Sequence, residues 1–127
     1  MKIKDLEVIR TSSPLHKTAG TNWLFVKILT DTDIVGWGEG SLQYKDSALE
    51  AEICDMKKFL INKNPLNIED IWTSLFRKVT WSGGAVTMSA ISAIDLALWD
   101  IKGKAYGVPV YDLVGGKTRD KVKVYAN

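Results

Sequence analysis

The stretch SAISAIDLALWDIKGKAYGVPVYDLVGG, residues 89–116, constrains the fold most, because it predicts a long helix that is apolar on nearly every side. Ser89, Ala93 and Ala97 recur every four positions, so one face of this helix can let a neighbouring element approach closely. The opposite face carries larger apolar side chains, namely Ile91, Ile94, Leu98 and Ile101. A helix that is apolar all round is normally buried. We therefore predict a central helix over residues 86–106.

Two aspartates interrupt this apolar run. Burying an isolated carboxylate costs several kcal/mol or more, so Asp95 needs a backbone N–H, a Trp indole or a basic side chain as partner. Asp100 can pair with Lys104 one turn later. No second acid, histidine or metal-spaced ligand accompanies Asp95 in this stretch, so we assign it to architecture and not to catalysis.

The region before this helix divides into strands and helices. Residues 2–39 are rich in β-branched and aromatic residues and predict an antiparallel meander of three strands, with either a bulge or a two-sided environment around Asp5 and Leu6. In the second strand, Leu24, Val26 and Ile28 share one face. In the third strand, three glycines alternate with Trp37 and Glu39, so another element must come close to that face (Gly36, Gly38 and Gly40).

Two further helices are predicted between the strands and the central helix. Ser47 and Glu50 have the spacing of a capping box, and an apolar stripe follows them (Leu49, Ile53, Met56 and Leu60). Asn67 can cap the next helix, whose predicted buried face consists of Ile68, Ile71, Trp72, Leu75, Phe76 and Val79. Gly107 is expected to end the central helix, and Pro109 to open a short helical turn.

Composition excludes several classes of partner. The 127 residues suit one domain, and the formal charge of +2 comes from scattered Lys and Arg, so neither nucleic acid nor a membrane is expected as a partner. The sequence starts without an apolar signal segment, and we expect no membrane span. Cys54 is the only cysteine; we predict that it is a small buried residue in a reducing, cytoplasmic setting.

The last residues, KVKVYAN, alternate in the manner of a strand. Because no later segment could pair with such a strand, we expect that the 127 residues are a fragment of a longer protein.

Taken together, these segments resemble the enolase superfamily in its mandelate racemase and muconate lactonizing enzyme branch. The first signature of that branch is similar to residues 90–104 together with two short segments that follow them. Pro109-Val110 comes after four further residues, and Leu113-Val114-Gly115 after two more. The segment 35–39 resembles the third strand of the family. The pair Gly83-Gly84, just before the signature helix, resembles the same position in the sugar-acid dehydratases of the family.

The resemblance implies an α+β fold, in which a three-stranded antiparallel meander is followed by a helical bundle. Residues 1–116 would form the capping domain, and residues 117–127 would begin a (β/α)₈ barrel that is otherwise absent, since a barrel needs about 200 residues or more. The family abstracts a proton α to a carboxylate and uses Mg²⁺ to stabilise the enediolate. Its catalytic residues and metal ligands lie in the barrel, so we assign none to this chain and expect the fragment to be inactive.

As a capping domain, the chain would supply loops that close over a carboxylate substrate such as a sugar acid. The resemblance places two such loops at residues 15–21 and 41–45. The candidate substrate-binding residues are His16, Lys17, Thr18, Gln43, Tyr44 and Trp81. For His16 and Lys17 the competing interpretation is an ordinary solvated loop, and for Trp81 it is a core aromatic between helices.

The sequence is compatible with two functions. The favoured one is the capping domain of a Mg²⁺-dependent sugar-acid dehydratase, with a racemase or cycloisomerase as the alternative within the family. The other is a non-catalytic association module that uses a Trp-rich surface and the final strand. In either case we expect a homo-oligomer or self-association. In the favoured case we also expect that a barrel domain, missing from this chain, is the partner of the capping domain.

Overall fold

The computed structural model describes residues 1–12, 22–77 and 81–125. Three strands, β1 (Ile3–Ser12), β2 (Asn22–Thr30) and β3 (Val35–Glu39), form one antiparallel sheet in the order β1-β2-β3. The register shifts between Ile3 and Asp5, so the regular pairing is interrupted where the sequence alternation slips. Helices α1 (Asp46–Met56), α2 (Ile68–Arg77), α3 (Gly84–Tyr106) and α4 (Val110–Leu113) follow, with a 3₁₀ turn at Lys57–Phe59. The predicted α+β architecture, a meander followed by helices, is confirmed.

The core lies between one face of the sheet and the helices. Leu24, Val26 and Ile28 on β2 are fully buried there, while Trp23 on the opposite face is 47% exposed. The apolar stripe predicted for α1 is also buried, with Leu60 just beyond the 3₁₀ turn (Leu49, Ile53, Met56 and Leu60). The helices therefore cover one face of the sheet, in agreement with the alternation of the strands.

The glycines of β3 allow the sheet to contact α3 directly. A Cβ placed on Gly38 would lie 2.0 Å from the carbonyl oxygen of Ala93, and one on Gly36 would lie 2.2 Å from that of Ala97. A Cβ on Gly40 would lie 2.7 Å from the Cβ of Ala93. The glycine stripe of the strand and the small-residue stripe of the helix thus form one interface. The sequence predicted a close neighbour for each stripe, and the structure shows that they contact each other.

A threonine hydroxyl organises the turn between β2 and β3. Thr30 is 6% exposed, and its Oγ1 lies 2.8 Å from both Thr32 Oγ1 and the carbonyl oxygen of Ile34. The same oxygen accepts a hydrogen bond from the Thr32 N–H at 3.2 Å. This polar group is satisfied although it is buried, as buried polar groups normally are.

The predicted capping box of α1 is wrong. The residue before the helix is Lys45, and no side chain caps the helix there. Ser47 lies inside the first turn, and Ser47 and Glu50 instead contact Arg10 on β1. The spacing of Ser47 and Glu50 could not reveal that Arg10, on a distant strand, binds the side-chain oxygens that a capping box would use.

Two side-chain burial predictions for the helices need correction. Cys54 on α1 is exposed, because it lies on the helix face away from the buried stripe. On α2, Ile68, Ile71 and Leu75 are buried, whereas Trp72 and Phe76 are only partly buried and stack on each other with ring centroids 5.2 Å apart. Val79 lies outside the described residues.

Helix α3 is the central element. Its two apolar faces are buried, and Gly107 ends it in the left-handed conformation with φ 67°, as predicted. Pro109 precedes α4, as predicted. By length and composition alone, α3 would also be able to cross a membrane, which the sequence prediction overlooked; here its apolar residues pack against the sheet and α1.

The C-terminal residues 121–125 are exposed and form no strand. Alternation of apolar and polar side chains alone does not make a strand, because a strand needs a hydrogen-bonded neighbour. Their assignment to the start of a barrel, and the domain boundary at residue 116, stay predictions.

Candidate functional site

Several chain segments converge at one end of the sheet, which we call the loop end. It is defined by Ser12 and Asn22, which pair across β1 and β2, and by Glu39, which pairs with Phe25 at the end of β3. The turn at 41–45 and the start of α3 also lie at this end. Loops at one end of a rigid scaffold are a common location for binding residues.

A groove of about 370 Å³ separates the end of β3 from the first turns of α3. One wall consists of Glu39, Gly40 and Ser41, and the other of Ala85, Met88, Ser89 and Ser92. Gly40 permits this junction because it packs on Ala93. The hydroxyl groups can donate or accept hydrogen bonds and the Glu39 carboxylate can accept them, so the groove suits a ligand that carries hydroxyls.

A second groove of about 230 Å³ lies on the other side of the loop end. It is lined by Arg10, Asn22 and residues 44–48, including Tyr44. The Arg10 guanidinium donates hydrogen bonds to Ser47 Oγ at 3.3 Å and Glu50 Oε2 at 3.1 Å, and Asn22 Nδ2 donates to Asp46 Oδ2 at 3.0 Å. These bonds fix the start of α1 against the ends of β1 and β2.

The predicted site residues divide into three groups. His16, Lys17 and Thr18 lie outside the described residues, although the strand ends on either side of them are at the loop end. Gln43 and Tyr44 lie exposed in the turn after β3, and Tyr44 adopts a left-handed φ of 62°.

Trp81 precedes the first turn of α3 and is 88% exposed. This exposure removes the competing interpretation that it is a core aromatic. The aromatic ring is available to a ligand or to another surface, and its role as a substrate contact stays a prediction.

Sequence reasoning missed most of the first groove. The sequence predicts Ser89 only as a small packing residue, and it does not predict that Ser41 and Ser92 line a groove. Ser89, Ser92 and Met88 fall at helical spacing on α3, which could have indicated a shared face. Their position opposite Glu39 depends on the sheet–helix contact, which no local pattern specifies.

Asp95 lies on α3 in a partly buried setting. Burial raises the pKa of its carboxyl group, the nearby negative charge of Glu69 raises it further, and a hydrogen bond from the Trp99 side chain opposes the shift. The partner is therefore an indole, one of the types expected from the sequence.

The described part of the chain contains no cluster of three or more His, Cys, Asp or Glu side chains able to hold a metal ion. The residues present in these ranges therefore do not fit a Mg²⁺ site.

Comparison with known proteins identifies the family. Residues 2–115 match the family described as mandelate racemase / muconate lactonizing enzyme, N-terminal domain. A D-galactonate dehydratase from Variovorax paradoxus (strain S110) is 50% identical over 104 residues, which is 82% of this chain and 27% of that protein.

Solved structures agree with this match. A member of the enolase superfamily from Salmonella Typhimurium superposes with a TM-score of 0.89 at 40% identity, over 98% of this chain and 32% of that chain. An enolase from Pantoea ananatis with bound D-gluconate and Mg²⁺ gives a TM-score of 0.84 at 40% identity, over 94% and 28%. The chain thus spans about a third or less of the length of these relatives. By sequence and by fold, the chain belongs to the mandelate racemase/muconate lactonizing enzyme family of the enolase superfamily, as its N-terminal domain.

Proposed function

We propose that this chain is the substrate-capping domain of a sugar-acid dehydratase. The observation that carries the proposal is the 50% identity to a D-galactonate dehydratase over 82% of the chain. The reaction would remove the proton α to the carboxylate and eliminate water, to give a 2-keto-3-deoxy acid. A D-gluconate ligand in the Pantoea ananatis relative supports a sugar acid as the substrate class.

The catalytic groups would lie outside this chain. Magnesium bound in the Pantoea ananatis relative supports a Mg²⁺ requirement for the complete enzyme. The described residues offer no cluster of three or more His, Cys, Asp or Glu side chains for that ion. We propose that a barrel domain supplies the ligands and the base, and that the complete enzyme is a cytoplasmic homo-oligomer.

The contribution of this domain would be to bind and cover the substrate at the loop end. The groove between β3 and α3 presents the hydroxyls of Ser41, Ser89 and Ser92 next to Glu39, and hydrogen bonds to such groups would select for hydroxylated acids. The exposed Tyr44 and Trp81 would add apolar area that excludes water from the site.

The test is a substrate screen of the complete protein with Mg²⁺, in which formation of a 2-keto-3-deoxy acid is followed by semicarbazide derivatisation. We expect dehydration of D-galactonate or a related sugar acid, and no turnover by the 127-residue chain alone. Racemisation or cycloisomerisation without dehydration would contradict the dehydratase assignment.

The capping role is tested separately with Tyr44→Ala in an active complete enzyme. We expect a severalfold rise in KM for the preferred acid. Tyr111→Ala is the matched control, because Tyr111 is 47% exposed on α4, away from the loop end. Equal kinetic effects of the two substitutions would contradict the capping role.

A further inference from the structure

Strand β3 forms one edge of the sheet. Gly36 and Gly38 pair with Ile28 and Val26 on β2, and just beyond the strand the Gly40 N–H continues this pattern by donating to the Leu24 carbonyl at 2.9 Å. Because successive residues of a strand alternate, the N–H and C=O groups of Val35 and Trp37 point away from β2. On an edge strand, outward-facing groups of this kind are a template for pairing with another chain unless something else occupies them.

The other edge is covered at its start by backbone of the same chain. The Ile3 N–H donates to the Lys63 carbonyl, and the Ile3 carbonyl accepts from the Asn62 N–H, each at 2.9 Å. No strand pairs with β3 on its open side in the described part of the chain.

Two side chains of α3 occupy the open edge of β3 instead. Asp100 Oδ2 accepts a hydrogen bond from the Trp37 N–H at 2.9 Å, and Lys104 Nζ donates one to the Val35 carbonyl at 2.8 Å. The two side chains also pair with each other, with Nζ and Oδ2 2.6 Å apart. They supply one acceptor and one donor, which are the groups that a fourth strand would offer.

We propose that the Asp100–Lys104 pair is an edge guard, which prevents β3 from pairing with β3 of a second copy of this chain. Hydrogen bonds with a charged partner are roughly twice as strong as those between neutral groups, so an incoming strand gains less than it displaces. The close contact of Gly36 and Gly38 with α3 is what brings both side chains to the edge. This role is independent of the proposed enzymatic function.

The decisive variant is Asp100→Ala/Lys104→Ala in the 127-residue chain. We expect amide exchange at Trp37 to become about ten- to a hundredfold faster, since a hydrogen bond to a charged group is lost. We also expect stronger concentration-dependent association than in the parent chain by sedimentation velocity, with an added intermolecular β-sheet band in the infrared spectrum.

The matched control is Lys63→Ala/Asp70→Ala, which removes an exposed ion pair of the same residue types, with Nζ and Oδ2 3.2 Å apart, away from the β3 edge. This variant should associate no more than the parent chain.

Two single substitutions cover the case that the double variant fails to fold. Asp100→Asn keeps an acceptor for the Trp37 N–H and should retain slow exchange there, whereas Lys104→Met keeps the aliphatic stem, frees the Val35 carbonyl and should increase association. If neither Lys104→Met nor a folded double variant associates more than the Lys63/Asp70 control, the edge guard is refuted.

Discussion

The contact between β3 and α3 predicts that Gly38→Ala strongly destabilises the domain. The added Cβ would lie 2.0 Å from the Ala93 carbonyl oxygen and 2.9 Å from the Ala97 nitrogen, whereas ordinary van der Waals contacts of a Cβ start at 3.4 Å. Both contacts are backbone atoms of a helix interior, so no side-chain rotation relieves them. The strand and the helix must separate by more than an ångström.

The size of the effect follows from this geometry. Overpacking that side chains can absorb costs typically about 1–3 kcal/mol. Here the backbone must move, so we expect a loss of at least about 3 kcal/mol from the free energy of unfolding. For a domain of this size that lowers the Tm by roughly 10 °C or more. Thermal and urea unfolding of the 127-residue chain, followed by circular dichroism, would measure both quantities.

A control and a rescue test the cause. Gly84→Ala has open space around the new Cβ and a φ of +80°, so it should cost only backbone strain of about 1–2 kcal/mol. Gly40→Ala contacts the Ala93 side chain at 2.7 Å, so Ala93→Gly should partly rescue Gly40→Ala but not Gly38→Ala. If the free energy of unfolding of Gly38→Ala differed from that of the unsubstituted chain by less than about 0.5 kcal/mol, the steric explanation would be refuted.

Three further predictions concern individual side chains. Burial and Glu69 raise the folded-state pKa of Asp95, so the free energy of unfolding should increase as the pH falls from that pKa to the unfolded-state pKa. Asp95→Asn should stabilise the chain at pH 7 and flatten this pH dependence, both measured by urea titration. A loss of stability in Asp95→Asn would contradict the prediction. Trp81→Ala should change the free energy of unfolding by less than about 0.5 kcal/mol, because the ring is 88% exposed, and a larger loss in the same assay would show hidden packing. Cys54 should react with a thiol reagent in the native chain, and labelling only after denaturation would disprove its exposure.

The fold was predictable where a periodic pattern coincided with a packing requirement. The glycines of β3 and the small residues of α3 each indicate a close neighbour, and the structure shows that the two stripes contact each other. The ion pair between Asp100 and Lys104 also followed from helical spacing. Where an interaction joined residues distant in sequence, prediction failed, since the spacing of Ser47 and Glu50 could not reveal their contact with Arg10.

The candidate site was less accessible from the sequence. The family resemblance predicts that the turn containing Gln43 and Tyr44 belongs to the site, and the structure places this turn at the loop end. The groove formed by Ser41, Ser89 and Glu39 arises only when two distant segments meet. A hydroxyl on a helix gives no local signal that distinguishes a groove from solvent.

The buried hydroxyl of Thr30 has a consequence beyond its own turn. Its bonds to Thr32 and Ile34 fix how many residues separate the paired positions of β2 and β3. A slip of one residue would turn the glycines outward and aim Trp37 and Glu39 at the helix backbone. One hydroxyl at the turn between β2 and β3 therefore helps to determine which face of β3 packs on α3, although the groove residues lie at the opposite end of the hairpin.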